Sequence, residues 1–193
     1  GGNPIGYGIY EGNIHEGKTL VPMIKDLAGR HGFDHPVVIA DAGLLSKKNI
    51  EDLEAEKYEY ILGARVKSET AEVKEAILGM NLKNGDVRCI DKANGVRLIV
   101  SMSDKRAAKD EAMRKKGLQR LEKRFQTGKL TKANVNNRGY NKYLKMDGDV
   151  SVTIDMDKFN ADAAWDGIKG YVTNTKLSDA EVISNYSNLW FIE

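Results

Sequence analysis

The chain is 193 residues long, 41% hydrophobic and 30% charged, with one cysteine and three histidines. That is enough for one substantial domain, or one domain carrying an insertion. No run approaches the roughly 20 apolar residues of a bilayer-spanning helix. The start, Gly1-Gly2-Asn3-Pro4, has neither a basic nor an apolar leader segment, so no signal peptide and no membrane partner are expected. A single Cys excludes an intrachain disulfide, and one Cys with three His argues against structural zinc. Cys89 is expected as a small buried residue in a reducing compartment.

The net charge of +2 is unevenly spread. Residues 101–145 hold 14 Lys or Arg and four acids, so the remainder of the chain is acidic. A basic module beside an acidic one points to an anionic partner, nucleic acid above all, although charge runs are also common on solvated helix faces.

In chain order, Ile5, Tyr7 and Ile9 alternate within Pro4–Tyr10 and predict a strand, turned at Gly12-Asn13. Leu20, Met23, Ile24, Leu27 and Ala28 have helical spacing, with Pro22 tolerated in the first turn and Gly29 and Gly32 ending the helix. Val37–Ala40 is a continuous apolar run, as in a strand buried on both faces. Ser46 can cap a helix carrying Ile50 and Leu53, and Tyr58–Ala64 is the next strand. Alternating strands and helices predict an α/β layer with parallel neighbours.

The pattern then changes. Val73, Ala76, Ile77 and Met80 mark a helix; Val87–Ile90 and Val96–Met102 form a hairpin turned near Asn94-Gly95. A long charged helix is predicted from Asp104 to Phe125, with Leu118, Leu121 and Phe125 as its apolar contacts. Thr127–Lys145 is polar and partly irregular, while Val150, Val152 and Ile154 alternate as a strand, and Tyr171–Thr173 is one more. The predicted division is 1–65 for the first part of the α/β layer, 66–166 for an α+β insertion, and 167–193 for the return to the layer.

A last helix is predicted from Ser178, which forms a capping box with Glu181, to Glu193. Val182, Tyr186, Leu189 and Glu193 fall on one stripe, so the chain ends on an acid placed toward the core. Asp41 holds a similar place after Val37–Ala40. Two inward acids, far apart in sequence, suggest a metal site for phosphoryl chemistry. Taken alone, Asp41 also reads as a loop acid capping the helix near Ser46, and Glu193 as an ordinary acid near a chain end.

Four stretches carry a resemblance to a known family: Pro4–Asn13 with Glu16 and Thr19; Val38–Leu44 with Ser46 and Asn49; Asp166-Gly167 with Thr173-Asn174; and Tyr186 with Glu193 seven residues on. Together they resemble the catalytic core of bacterial insertion-sequence transposases of the DDE type, with a ribonuclease-H-like mixed sheet flanked by helices. The resemblance implies three carboxylates holding two Mg²⁺ or Mn²⁺ ions, which cut DNA at transposon ends and join it to a target. Asp41 and Glu193 match two of those carboxylates as catalytic and metal-binding residues. The first carboxylate matches nothing here, which implies a truncated fragment, inactive by itself and missing the first strands.

Within the closing motif, Tyr186 matches a DNA-phosphate contact, and Leu189 stands where the family has Arg. Lys105, Arg106, Lys109, Arg114, Lys115, Lys116 and Arg120 on the long helix would add phosphate contacts without reading sequence. A homodimer on DNA and a bacterial, nucleoid-associated cytoplasmic location are further implications. The alternatives are a non-catalytic DNA-binding or regulatory remnant and a metal-dependent nuclease of the same fold.

Overall fold

The computed structural model describes residues 5–14, 16–44, 46–148 and 151–191, the side chains of Glu16, Trp190 and Phe191 excepted. Two compact units are present. One comprises residues 1–74, 87–101 and 169–193; the other comprises 75–86 and 102–168.

The first unit is built on a five-stranded mixed sheet. Helix α1 (Leu20–His31) leads to strand β1 (Val37–Ala40), helix α2 (Lys47–Ala55) and strand β2 (Glu59–Ala64). β1 and β2 are parallel, Val38 opposite Tyr60 and Ala40 opposite Leu62, with α2 as the crossover between them. Helix α3 (Ala71–Gly79) follows. Strands β3 (Val87–Asp91) and β4 (Arg97–Met102) form the antiparallel hairpin, and β7 (Ile168–Thr173) lies between β2 and β4, giving the order β1-β2-β7-β4-β3. The hairpin assigned from sequence to the insertion is thus part of the main sheet. β7 runs antiparallel to β2, Leu62 facing Val172. Ile61, Ile99, Tyr171 and Val182 make a buried cluster in which β2, β4 and β7 meet helix α6 (Asp179–Ser187).

Three sequence expectations fail here for the same reason, the lack of a partner. Residues 5–10 form no strand among the described residues. Ile5, Tyr7 and Ile9 are exposed, and with no strand beside it among the described residues the segment has no ladder to join; the Ile5 carbonyl meets the His31 ring instead, at 3.0 Å. β1 buries Val38 and Ala40 but leaves Val37 exposed and Ile39 half-buried, because β2 is its one strand neighbour among the described residues. Cys89 is exposed on β3, at the sheet's other edge, and its thiol is pushed up by partial desolvation and then by Asp179.

Of the two glycines expected to end α1, Gly29 lies inside it and Gly32 caps it, with a positive φ of 66° and its amide donating to the Ala28 carbonyl. The final helix is shorter than its periodicity predicts: α6 stops at Ser187 and a 3-10 turn, Asn188–Phe191, continues the chain. The Ser178–Glu181 capping box at its start is formed in full, each side chain accepting the other residue's amide.

The second unit centres on helix α4 (Asp104–Gln126), started by Ser103, whose hydroxyl accepts the Arg106 amide. Strands β5 (Leu144–Asp147) and β6 (Ser151–Ile154) form an antiparallel ladder, followed by helix α5 (Met156–Asp162). Leu121, Tyr143, Leu144, Val152 and Phe159 make its core, with Leu118 packed against them. Phe125, expected in this core, is exposed at the last turn of α4. Tyr143 packs edge-on against Phe159 and donates its hydroxyl to Asp162. Burial and that carboxylate push the phenol well above its ordinary range.

Candidate functional site

The described residues of the loop after β1 are held by local hydrogen bonds. The Asp41 carboxylate accepts the Gly43 amide, and the Leu44 amide donates to the Asp41 carbonyl at 3.3 Å. The buried Asn49 side chain donates to the Leu44 carbonyl at 2.7 Å, while its own amide donates to the Ser46 hydroxyl that caps α2. Ser46 and Asn49 therefore lock the loop that presents Asp41. Asp41 is not directed inward as predicted: its side chain is exposed, and it caps its own turn rather than helix α2. An Asp just past the carboxyl end of a strand has local backbone donors to hand and no need of burial.

Tyr186 reaches this same corner from α6. A Cβ built on Gly63 of β2 would lie 2.5 Å from the Tyr186 hydroxyl and 2.9 Å from the Ala42 backbone nitrogen. Only a glycine at this position lets the Tyr186 hydroxyl approach the residue that follows Asp41. The Tyr186 ring packs edge-on against Tyr171 of β7 at 5.0 Å. Glu193, the other carboxylate assigned from sequence, lies outside the described residues. Among the described residues, no three His, Cys, Asp or Glu side chains gather as a metal-binding group.

The remaining motif residues shape the fold. Asn174 continues β7 with its side chain: its carbonyl oxygen accepts the Tyr60 amide at 2.8 Å and its NH₂ donates to the Tyr58 carbonyl at 3.1 Å. Thr173, fully buried, donates its hydroxyl to the Tyr60 carbonyl. In the second unit, Gly167 has φ of 85°, and a Cβ there would strike Met102, Ala107 and the Ser103 carbonyl at the start of α4.

Helix α4 carries the basic residues, and they do not behave alike. Lys105, Arg106, Lys109, Lys115, Lys116 and Arg120 are exposed. Arg106 pairs with Asp110 at 3.5 Å and Lys115 with Glu111 at 2.6 Å, each one turn away. At 3.6 residues per turn, Lys105, Lys109, Lys116 and Arg120 share an arc of about 60° with the exposed Lys123, a residue the sequence pattern alone does not single out. That stripe is about 27 Å long. Gly117 and Leu121 occupy the buried side.

Arg114 is a correction. Its place on the basic helix suggests a DNA-phosphate contact, but its side chain is 10% exposed and forms an ion pair with Asp166 at 2.6 Å. Its guanidinium also stacks 4.8 Å over the Phe159 ring. The Asp166 hydrogen bond raises its already high pKa further, so it is a permanently charged internal strut. The pairing could not be read locally, because the partner is 52 residues away.

Against known proteins, the chain matches the family described as Transposase DDE domain over residues 1–189, a span that takes in Asp41 and Tyr186 and ends before Glu193. No curated protein and no solved structure matches it. No helix among the described residues is long and apolar enough to cross a membrane. With a five-stranded mixed α/β sheet flanked by helices, and a family match along nearly its whole length, the chain belongs to the transposase DDE domain family.

Proposed function

We propose that the corner formed by Asp41 and Tyr186 is part of the centre for DNA strand cleavage and strand transfer at transposon ends, and that the stripe on α4 holds DNA phosphates. The observation carrying this reading is the approach of the Tyr186 hydroxyl, across Gly63, to the loop presenting Asp41. A residue from the end of the chain and a carboxylate from its first third thus share one sheet edge.

The family acts on DNA and generally uses divalent metal ions. The donor chemistry of Asp41 suits a hard cation: it is an exposed carboxylate at a strand end, open to a hydrated ion. One carboxylate does not make a two-ion set, so the described residues by themselves complete no metal site. When bound, the ions would activate the attacking oxygen and stabilise the leaving one. Asp41 would position metal, with Glu193 as its counterpart and with Mg²⁺ or Mn²⁺ as the ion. Tyr186 would hold a phosphodiester oxygen through its hydroxyl.

The reading is tested with the natural polypeptide carrying this chain. Asp41→Asn is expected to abolish Mg²⁺- or Mn²⁺-dependent cleavage of transposon-end DNA while leaving DNA affinity within about twofold, since a lone exposed carboxylate makes no large binding contribution. Cleavage that survives Asp41→Asn overturns the assignment. Replacing Lys105, Lys109 and Lys116 by Gln is expected to reduce the slope of log affinity against log salt by about 0.9 for each lysine that neutralises a phosphate.

DNA binding without cleavage is the second reading. It is favoured by the α4 stripe, which needs no metal, together with the presence of one carboxylate of the set among the described residues. Salt-sensitive binding with no cleavage under any divalent ion would select it.

A further inference from the structure

We propose that the first unit carries a nucleotide-binding cleft on the sheet face opposite Tyr186, with Arg65 as the cation that holds the phosphate. Successive residues of β2 point to opposite faces of the sheet. Ile61 and Gly63 face α6, Ile61 in the cluster with Val182 and Gly63 against the Tyr186 hydroxyl. Tyr60 and Leu62 face the other way, and Val172, directly opposite Leu62 on β7, shares their side. That side opens into a cavity of about 630 Å³, within the range of small-molecule sites.

The lining is part apolar and part cationic. Ile50, Tyr60, Val96 and Val172 make the apolar part. The Tyr60 hydroxyl is already given to Glu54 at 2.9 Å. Of the charged residues, Glu69 is closed off, because Lys92 holds both of its oxygens at 2.7 Å. The exposed Arg65 guanidinium has no partner among the described residues. Lys47, also exposed, has one acid near it, Glu51 at 3.6 Å, in a solvated pair of small worth. Ser68, at the end of the 3-10 turn that follows Arg65, adds a hydroxyl. Two cations thus line the cavity, and its one acid is already neutralised by a third.

This donor set is complementary to a phosphate, which a planar guanidinium grips through two parallel N–H bonds. A bare phosphate would leave the apolar lining in water, whereas a flat base joined to that phosphate covers it. A free nucleoside monophosphate and the phosphorylated end of a DNA strand both present this chemistry. The assignment uses neither Asp41 nor Tyr186, so it stands or falls separately from the reading above.

Binding of radiolabelled deoxyadenosine monophosphate to the natural polypeptide carrying this chain is measured by equilibrium dialysis. Saturable binding is expected, with a Kd of about 1 mM or tighter. Arg65→Gln is expected to weaken it about tenfold or more, and Arg65→Lys less, since charge is kept and the fork is lost. Lys158→Gln removes a distant exposed cation and is expected to leave it within about twofold. Deoxyadenosine and inorganic phosphate should each compete at least about tenfold less well than the nucleotide, because each fills half of the site.

A terminally phosphorylated DNA tetranucleotide separates the two sources. Competition better than that of the mononucleotide assigns the cleft to a strand end; failure to compete assigns it to a free nucleotide, and both results uphold the cleft. Absence of saturable binding, parent-like affinity in Arg65→Gln, or inorganic phosphate competing as well as the nucleotide overturns the assignment. The competitor series is run on the parent, so the assignment can fail even where a variant does not fold.

Discussion

The Asp41 corner and helix α4 place charge by opposite plans. At the corner, one carboxylate sits on a loop held by local hydrogen bonds, and the hydroxyl of a tyrosine comes up to that loop's Ala42 through a notch left by Gly63. On α4, charge is plentiful, exposed and repeated along one stripe, and no single residue is shaped for its neighbour. The corner suits chemistry, where a small displacement is expensive. The helix suits holding a polyanion, where the number of charges matters more than their exact position. The difference also shows why charge alone is a poor guide to role: Arg114 belongs to the basic helix by sequence, yet it serves the interior of its unit.

The sharpest break of this comparison is Arg114→Ala. It leaves the half-buried Asp166 carboxylate without its counter-ion and is expected to destabilise the second unit by about 3 kcal/mol in urea unfolding. The salt slope of DNA binding, measured where the protein is folded, should not move. Replacing both partners by Met should recover most of that stability, since it removes both charges together, along with the buried Arg114 Nε that no hydrogen bond satisfies. A parent-like stability for Arg114→Ala would return this residue to the surface stripe.

A smaller effect is expected at the corner. Gly63→Ala forces a Cβ against the Tyr186 hydroxyl and the Ala42 amide, at a cost of about 1–3 kcal/mol. Adding Tyr186→Phe should restore part of that stability, because one of the two obstructing atoms is then gone. Full tolerance of Gly63→Ala would mean that Tyr186 does not press on the Asp41 loop.

The smallest effect concerns the start of α6. The Glu181 carboxyl is held below its usual range by the Ser178 hydroxyl and then by the Ser178 amide. A depressed folded-state pKa gives stability that is present above the unfolded value and lost as pH falls through the folded one. Ser178→Ala is expected to cost about 1 kcal/mol at neutral pH. The gap between parent and variant should narrow on acidification, as followed by thermal unfolding. A gap that widens in acid would reverse the sign and exclude the capping box as its source.

Legibility in the sequence followed the range of the interactions. The starts of α2 and α6 were readable because Ser46 and Ser178 act within three residues. The parallel β1–β2 pair followed from alternating strand and helix patterns. The missing strand at residues 5–10 was not readable, since alternation reports a face to bury but not whether a neighbouring strand is present. Helix α5 and strand β5 went unnoticed within short polar stretches whose burial depends on Tyr143 and Phe159. At the candidate site, Asp41 and Tyr186 were singled out through their motif, and their roles are proposals. The Arg114–Asp166 pair spans 52 residues, and no local pattern announces it.

Helix α4 gives up a side chain at Gly117, its mid-point, where the Tyr140 ring docks against the bare backbone. A glycine there weakens intrinsic helicity by about 1 kcal/mol relative to alanine, and like charges along one stripe repel one another further. Excised as a peptide, this segment would lose its array of cations to fraying. On the proposed reading, affinity for DNA would belong to the folded second unit rather than to this segment alone, and anything that expels Tyr140 from its seat would scatter the charges before it touches one of them.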